Sequence, residues 1–255
     1  MLQQTQAARV AVAYPRFLHR FPSVDVLARA PRRSVLQAWG ELGYNRRAVA
    51  LSEAARAIVS EHGGVVPDDA SALQRLPGVG PYTAAAVAAL AFSTPDPAVD
   101  TNVRRVVARV HLGAEGHEAA PTEIASLARD WLDTRDPGSW NQAVMDLGRE
   151  VCRPRPRCEV CPLARVCRFR AAGAMPRPSP RRQGAFEGSM RQMRGAVVRT
   201  LRSEPSLTLG RLATLTGFEL ERICAAVSAL VADGLLDAGS AAIVGRPRGR
   251  VRLAS

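Results

Sequence analysis

The chain has 255 residues, enough for one or two domains with a sizeable core, and 47% are apolar, which excludes a disordered chain. Its net charge of +12 favours a polyanion partner, with nucleic acid as the default and a solvated arginine-rich surface as the alternative. The sequence has no run near the ~20 apolar residues of a membrane span and no opening signal segment, so it predicts a cytoplasmic protein with no membrane partner.

Helical patterns fill the first 150 residues. Apolar residues at helical spacing (Val10, Tyr14 and Phe17) place residue 1 inside a helix, with Pro15 as a break or restart. Further patterns predict helices at 24–29, 34–39, 46–61, 70–75, 83–92, from 101 onward, 122–134 and 141–151. Strand-like stretches occur only near the C-terminus, so the main body is predicted to be all-α.

The stretch from Leu76 to Arg105 combines a glycine turn with a carboxylate. Gly78-Val79-Gly80 separates two predicted helices, the form of a helix-hairpin-helix at about 70–92. Amide groups at such a turn hold a phosphate without reading sequence. A carboxylate close to such a turn, that of Asp100, indicates chemistry on a nucleic-acid backbone or its sugar. The structural alternative is that Asp100 caps the helix that follows it.

Four of the five cysteines lie within 16 residues, with the spacing C-x5-C-x2-C-x5-C. Disulfides are rare in the cytoplasm, so the pattern predicts a metal centre on Cys152, Cys158, Cys161 and Cys167. Zinc and an iron–sulfur cluster both accept four thiolates, and the spacing alone does not separate them. Cys224 falls on an apolar helix face and is predicted to be a core residue.

Two regions follow the cysteines. Residues 171–192 are rich in Pro, Arg, Gly and Ser, which predicts a linker, and a further DNA contact through Arg177, Arg181, Arg182 and Arg191. Residues 193–255 predict three helices and a hairpin of 241–244 with 250–253, a winged-helix-like domain; a protein–protein module is the alternative. The predicted domains are 1–151, the four-cysteine loop 152–170, the linker 171–192, and 193–255.

In combination these features resemble the endonuclease III superfamily of DNA glycosylases, and most of all its adenine glycosylases of the MutY type. The resemblance covers residues 1 to about 170. It rests on Met1-Leu2-Gln3-Gln4-Thr5-Gln6, Leu42-Gly43-Tyr44, LPGVGPYT at 76–83, VDTNVRR at 99–105 and NQAVMDLG at 141–148. The C-terminal region is similar to the short tail of actinobacterial relatives, and not to the Nudix-like domain with which better-known members recognise 8-oxoguanine.

The resemblance implies a monofunctional glycosylase of base excision repair that removes adenine mispaired with 8-oxoguanine or guanine. It would act on double-stranded DNA as a monomer. Asp100 would stabilise the positive charge that develops on the deoxyribose, and Asn102 would assist it. Two alternatives stay open: a thymine or uracil mismatch glycosylase, and a non-catalytic DNA-binding protein.

Tyr82 stands where the bifunctional relatives carry a Schiff-base lysine. Tyrosine cannot form that imine, and lysine is absent from the whole chain, so only the amino terminus could act as the amine nucleophile. Base removal without strand cleavage is therefore expected. Because thymine-mismatch glycosylases also carry tyrosine here, Tyr82 does not fix the substrate.

The resemblance also assigns DNA contacts and a cofactor. Gln4 would insert into the duplex as the target base flips out. Tyr44 and Asn45 lie where relatives carry a wedge, with a buried aromatic as the alternative for Tyr44. Gly78, Val79 and Gly80 would hold the DNA backbone. The four cysteines would hold a [4Fe–4S] cluster, although the first gap has five residues where the family usually has six.

One expected residue is missing. The family's general acid is a glutamate two residues before the position of Met1, where it protonates the adenine. We therefore expect residues 1–255 by themselves to excise adenine poorly, and we expect an upstream start to supply the glutamate; a natural truncation that has lost activity is the alternative.

Overall fold

Helices form most of the regular structure. The computed structural model describes residues 1–177 and 184–255; the linker residues 178–183, with Arg181 and Arg182, lie outside the described residues. By their contacts, the residues form two compact units, Met1–Val65 with Gln183–Ser255 and Val66–Arg182. The described strands all lie between residues 207 and 253, so the prediction of an all-α main body is confirmed.

The first unit opens with four helices joined by short turns. They are α1 (Ala7–Arg20), α2 (Val24–Arg29), α3 (Arg32–Trp39) and α4 (Arg46–Glu61). The Ser23 side chain caps α2 by accepting a bond from the Val26 amide. A 3-10 turn, Gly40–Leu42, leads from α3 toward α4.

Two expectations about the first helix are wrong. Thr5 N–H donates to the Leu2 carbonyl at 3.2 Å, which closes a turn, and the helix begins only at Ala7. Residue 1 therefore lies outside it. The helix also continues through Pro15, because the carbonyl that loses its partner, that of Ala11, lies on an exposed face where water can bind it.

The second unit contains the predicted helix-hairpin-helix and the cysteine loop. Its helices are α5 (Ala70–Arg75), α6 (Pro81–Phe92), α7 (Thr101–Val107), α8 (Pro121–Trp131), α9 (Pro137–Glu150) and α10 (Arg168–Ala171). Beyond α7 the chain continues as a π-helix, Ala108–Leu112. Val103, Val106 and Val107 of α7 are buried in one cluster with Ile124 and Val144.

The C-terminal residues add four helices and a small sheet to the first unit. These are α11 (Met190–Ser203), α12 (Leu209–Thr216), α13 (Leu220–Ala232) and α14 (Ser240–Ile243), with strands β1 (Leu207–Thr208), β2 (Leu236–Ala238) and β3 (Arg250–Leu253). The sheet is antiparallel in the order β1-β3-β2, with Leu207 opposite Val251 and Leu236 opposite Leu253.

The predicted hairpin of 241–244 with 250–253 is half wrong. Residues 250–253 are a strand, but residues 240–243 form α14, and β2 is the partner of β3 instead. The backbone of Gly249 approaches α14 so closely that a Cβ there would lie 2.3 Å from the Ala242 nitrogen. The helix therefore packs beside the end of β3 and cannot pair with it. Whether the region is a winged helix stays a prediction.

One hydrophobic cluster joins the N-terminal helices to the C-terminal residues of the same unit. Leu36 and Trp39 belong to it together with Val197, Leu201 and Leu230. Hydrogen bonds reinforce the contact. Among them, Gln37 Nε2 donates to the Arg202 carbonyl at 3.2 Å, and Arg32 Nη1 donates to the Gly234 carbonyl at 3.1 Å. The domain boundaries drawn from the sequence stay a prediction.

None of the helices in the described parts of the chain is both long and apolar enough to cross a bilayer.

Candidate active site and cysteine loop

Asp100 lies at the N-terminus of α7, half-buried, with both carboxylate oxygens engaged. Oδ1 accepts a hydrogen bond from the Val103 amide at 2.7 Å and so caps the helix. Oδ2 accepts from Asn102 Nδ2 at 2.9 Å. The capping alternative is thus realised, and the cap fixes the carboxylate in one orientation beside the positive end of the helix dipole.

Asn102 connects this carboxylate to an arginine. Its Oδ1 accepts from Arg105 Nη2 at 3.0 Å. Arg105 also donates from Nη2 to the Gly148 carbonyl at 2.7 Å and from Nε to the Cys152 carbonyl at 2.6 Å. A continuous chain of hydrogen bonds therefore runs from Asp100 to the first cysteine of the loop.

Tyr82 lies in the first turn of α6, with 37% of its surface exposed. Its hydroxyl donates to the sulfur of Met145 on α9 at 3.5 Å. Burial, and secondarily the negative charge of Asp100, raise the pKa of Tyr82. The phenol therefore stays protonated and neutral beside Asp100 at neutral pH.

Asn141 fixes the loop that leads to Asp100. It is fully buried on α9, and its Oδ1 accepts from the Ala98 amide at 2.7 Å. Its Nδ2 donates to the carbonyls of Asp96, at 3.0 Å, and Pro137, at 2.8 Å. The backbone two residues before Asp100 is thereby tied to α9.

Gly148 allows α9 to cross the start of α7. A Cβ at this position would lie 2.7 Å from Cβ of Asn102 and 3.1 Å from its carbonyl carbon and oxygen. No larger residue fits without moving Asn102. The glycine therefore belongs to the site, although it carries no functional group.

The predicted helix-hairpin-helix is present, with α5 and α6 joined by the glycine turn. Gly78 has a φ of 75°, a conformation that favours glycine, and Gly78 and Gly80 are exposed while Leu76 is buried. Gly80 caps α6, and Pro81 occupies its first position. The exposed turn thus presents the N-terminal end of a twelve-residue helix, the kind of surface that binds phosphate.

The residues predicted to enter DNA lie in two turns of the first unit. Gln4 and Tyr44 are exposed, Tyr44 by 49%, so the alternative of a buried aromatic does not hold. Asn45 is half-buried, and its Oδ1 accepts from Arg202 Nη2 on α11 at 2.8 Å. Arg47 bonds to both turns.

The four predicted ligand cysteines line one cavity that opens to solvent. Within residues 1–177 and 184–255, no three His, Cys, Asp or Glu side chains converge closely enough to hold a single metal ion. A zinc ion would need four sulfurs about 2.3 Å from one point. Four thiols around one space fit a multi-iron cluster, which has four separate attachment points.

Arg109, on the π-helix, holds this loop from inside. It forms a buried ion pair with Glu115 at 2.7 Å, and both side chains are under 5% exposed. It also donates to the carbonyls of Arg153, at 2.7 Å, and Pro154, at 3.1 Å, and its Nη1 lies 3.6 Å from the sulfur of Cys152. A fixed positive charge therefore lies beside the sulfur of Cys152.

The structure brings Tyr82, Asp100 and Asn102 together and places the four cysteines around one space. Sequence reasoning gave no role to four residues that position them: Arg109, and Arg105, Asn141 and Gly148, which lie in the quoted motifs VDTNVRR and NQAVMDLG. Two had a signal, because a polar residue and a glycine inside an apolar helical pattern each lower helix stability and so call for a packing reason. Arg105 had a signal only as part of the motif VDTNVRR, since it is otherwise one of 35 arginines.

Comparison with known proteins agrees with this geometry. The family model "HhH-GPD superfamily base excision DNA repair protein" matches residues 1–132, about half of the chain. The chain therefore belongs to the HhH-GPD superfamily of base excision DNA repair proteins.

Curated relatives, among them a mycobacterial and a human protein, carry the name adenine DNA glycosylase. That of Mycobacterium tuberculosis H37Rv is 43% identical over 241 residues, which cover 92% of this chain and 79% of the relative. The human protein is 44% identical over 174 residues, 67% of this chain and 32% of its own length.

Two solved structures are similar in fold. A thermostable thymine-DNA glycosylase has a TM-score of 0.62 at 31% identity, over 67% of this chain and 80% of that one. Endonuclease III in a non-covalent complex with DNA has a TM-score of 0.59 at 25% identity, over 68% and 80%.

Proposed function

We propose that this chain is a monofunctional adenine DNA glycosylase of base excision repair, which hydrolyses the N-glycosidic bond of adenine mispaired with guanine or 8-oxoguanine. Identity of 43% over 92% of the chain to a protein named adenine DNA glycosylase supports the substrate class. The observation that carries the chemistry is the oriented carboxylate of Asp100, hydrogen-bonded on both oxygens.

Asp100 is the catalytic residue in this proposal. As the glycosidic bond breaks, positive charge develops on the deoxyribose, and a fixed carboxylate stabilises that charge without reorganising. The bond from Asn102 holds Oδ2 in place. Asn102 thus positions the carboxylate.

Tyr82 supports hydrolysis without strand cleavage. A phenol has no amine with which to attack the sugar carbon, and the chain has no lysine that could replace it. The phenol is neutral at neutral pH, and its raised pKa keeps it so, which means that it adds no second negative charge beside Asp100.

Double-stranded DNA is the proposed partner. The turn Gly78-Val79-Gly80 would hold a phosphate at the N-terminal end of α6. Gln4, Tyr44 and Asn45 would contact the duplex from the first unit, at the opening left by the extruded base. The net charge of +12 supports a polyanion partner.

We further propose a [4Fe–4S] cluster on Cys152, Cys158, Cys161 and Cys167. The donor set and the shared cavity support it. Such a cluster would hold the loop rigid, and the hydrogen bond from Arg105 to the Cys152 carbonyl would carry that rigidity toward Asn102.

Thymine or uracil mismatch repair is the second candidate, because the chain is 31% identical to a thymine-DNA glycosylase of the same fold. Base release from A:G, A:8-oxoguanine, T:G and U:G duplexes compares the two. Release of adenine only supports the first proposal, and release of thymine or uracil only rejects it in favour of the second.

The catalytic assignment is tested with Asp100→Asn, with Asp96→Asn of the same loop as the matched control. We expect Asp100→Asn to lower the single-turnover rate by roughly 10³-fold or more, because its charge stabilisation is lost, while duplex affinity is kept. Asp96→Asn should retain the parent rate, since the carbonyl of Asp96 makes the loop contact. If Asp100→Asn had the same rate as the parent, the catalytic role of Asp100 would be rejected.

A further inference from the structure

Gln4 and Tyr44 share an uncommon backbone conformation. In the described chain, three residues other than glycine have a positive φ: Gln4 at 54°, Tyr44 at 45° and Ser93 at 57°. Ser93 simply ends α6, where the left-handed conformation is ordinary. The other two are exposed residues in turns, and a residue with a Cβ keeps this conformation only where its surroundings hold it.

Arg47 holds the turn that carries Gln4. From α4, its Nη1 donates to the carbonyl of Gln3 and, at 2.8 Å, to the carbonyl of Met1. Its Nη2 donates to Thr5 Oγ1 at 2.7 Å. The guanidinium therefore bonds to residues on both sides of Gln4.

The same side chain holds the turn that carries Tyr44. Nη2 also donates to the carbonyls of Gly43, at 3.1 Å, and Leu42, at 3.3 Å. The guanidinium carbon lies 5.2 Å from the ring centre of Trp39 and 5.6 Å from that of Tyr44, both within cation–π range. Arg47 is thus bonded to both turns at once.

Two of the carbonyls that Arg47 bonds, those of Gln3 and Gly43, have equivalent places in the chain. The Gln3 carbonyl belongs to the peptide group directly before Gln4, and the Gly43 carbonyl to the one directly before Tyr44. Fixing a peptide plane restricts the φ of the residue that follows it. A planar guanidinium with a fork of N–H donors can restrict both, whereas a lysine ammonium is a point charge with three donors.

We propose that Arg47 is a positioning residue that links these two turns, so that Gln4 and Tyr44 are presented to the DNA duplex as one preformed pair. The inference rests on the proposed function and deepens it. Turns that are ordered before binding add no ordering cost at the moment the base is extruded. Loss of the link should therefore impair extrusion and spare the chemistry at Asp100.

The test compares Arg47→Lys with Arg46→Lys, a neighbouring, 73% exposed arginine of the same helix. Each is assayed in single turnover on adenine paired in a duplex opposite guanine and on adenine already unstacked in a one-nucleotide bulge. We expect Arg47→Lys to lose roughly ten- to a hundredfold on the paired base but under about threefold on the bulged base. Arg46→Lys should lose little on either.

A milder variant guards against misfolding of Arg47→Lys. Thr5→Val keeps the shape of the side chain but removes the hydroxyl that Arg47 bonds and that donates to the Leu42 carbonyl at 3.4 Å. We expect the same selective loss on the paired base, smaller in size. The inference is overturned if the single-turnover rate falls equally on both substrates, or if it falls in neither variant. Adenine release by the parent would still uphold the proposed function in that case.

Amide hydrogen exchange separates the two proposals. If the parent releases no adenine, the proposed function fails, and exchange alone decides the role of Arg47. In Arg47→Lys, residues 2–5 and 42–45 should both exchange faster than in Arg46→Lys. Faster exchange in one turn only, or in neither, would show that Arg47 does not link them.

Discussion

Asn141 shows how a single buried amide can position a carboxylate that it does not touch. All three of its hydrogen bonds go to backbone atoms, and two of them lie in the loop before Asp100. Its role in holding the loop is visible only when the loop and the helix are seen together, because its two loop partners are 43 and 45 residues away.

Replacing Asn141 by alanine should lower the free energy of unfolding by about 2–4 kcal/mol, since buried backbone donors and acceptors lose their partner. The rate of adenine release should fall as well, because the loop before Asp100 loosens. Urea denaturation and single-turnover assays measure the two effects. Gln142→Ala, exposed on the same helix, is the control, and equal stability of the two variants would contradict the role assigned to Asn141.

At the scale of elements, the site depends on how closely α9 approaches α7. Gly148 sets that distance, and the Arg105 bonds to the Gly148 and Cys152 carbonyls fix the end of α9 against α7. The crossing therefore determines where Asn102 lies relative to Asp100.

Gly148→Ala should slow adenine release by roughly tenfold or more, since a Cβ 2.7 Å from that of Asn102 forces Asn102 away from Asp100. The matched control is Gly195→Ala inside α11, where a Cβ meets nothing within 4 Å. Gly195→Ala should stabilise the protein by about 0.5–1 kcal/mol and leave the rate unchanged. Similar rates for the two variants would show that the crossing tolerates a methyl group.

The cysteine loop depends on the π-helix that carries Arg109. Glu115→Gln should lower the free energy of unfolding by about 3–5 kcal/mol, because it leaves the buried Arg109 charge unpaired. Iron content and visible absorbance of the purified protein should fall with it, since Arg109 bonds to the loop carbonyls.

Asp146→Asn is the control for that change. Its partner is Arg149, and this pair is about half exposed, so its loss should cost about 1 kcal/mol or less. If Glu115→Gln and Asp146→Asn had the same stability and iron content, the buried pair would have no part in holding the loop.

At the scale of the whole molecule, residues far apart in sequence complete one core. Leu36 on α3 and Leu201 on α11 are both fully buried in the same cluster. The residues that follow them, Gln37 and Arg202, are 165 positions apart and share a hydrogen bond. Unfolding of the C-terminal helices should therefore expose the N-terminal ones.

Leu201→Ala should destabilise the unit by about 2–5 kcal/mol and speed amide exchange in α3 as well as in α11. Leu215→Ala, at a side chain that is 47% exposed, should change neither. Faster exchange in α11 with α3 unaffected would mean that residues 193–255 behave as an independent domain, as the sequence predicted.

Much of the local structure was predictable. Helix α4 and the hairpin helix α5 have the predicted bounds, because their apolar spacing and their stops are local signals. Residues 241–244 were not predictable as a helix, since a short apolar run fits either structure and the packing of Gly249 decides.

The sequence by itself determined the helical class, the glycine turn, the capped position of Asp100 and the absence of lysine, because each follows from residue type and short spacing. Only the tertiary structure decided which residues hold these groups in place. Arg47, Arg105, Asn141 and Gly148 act through hydrogen bonds and close approaches between distant segments. Such contacts depend on how helices cross, which no local pattern encodes.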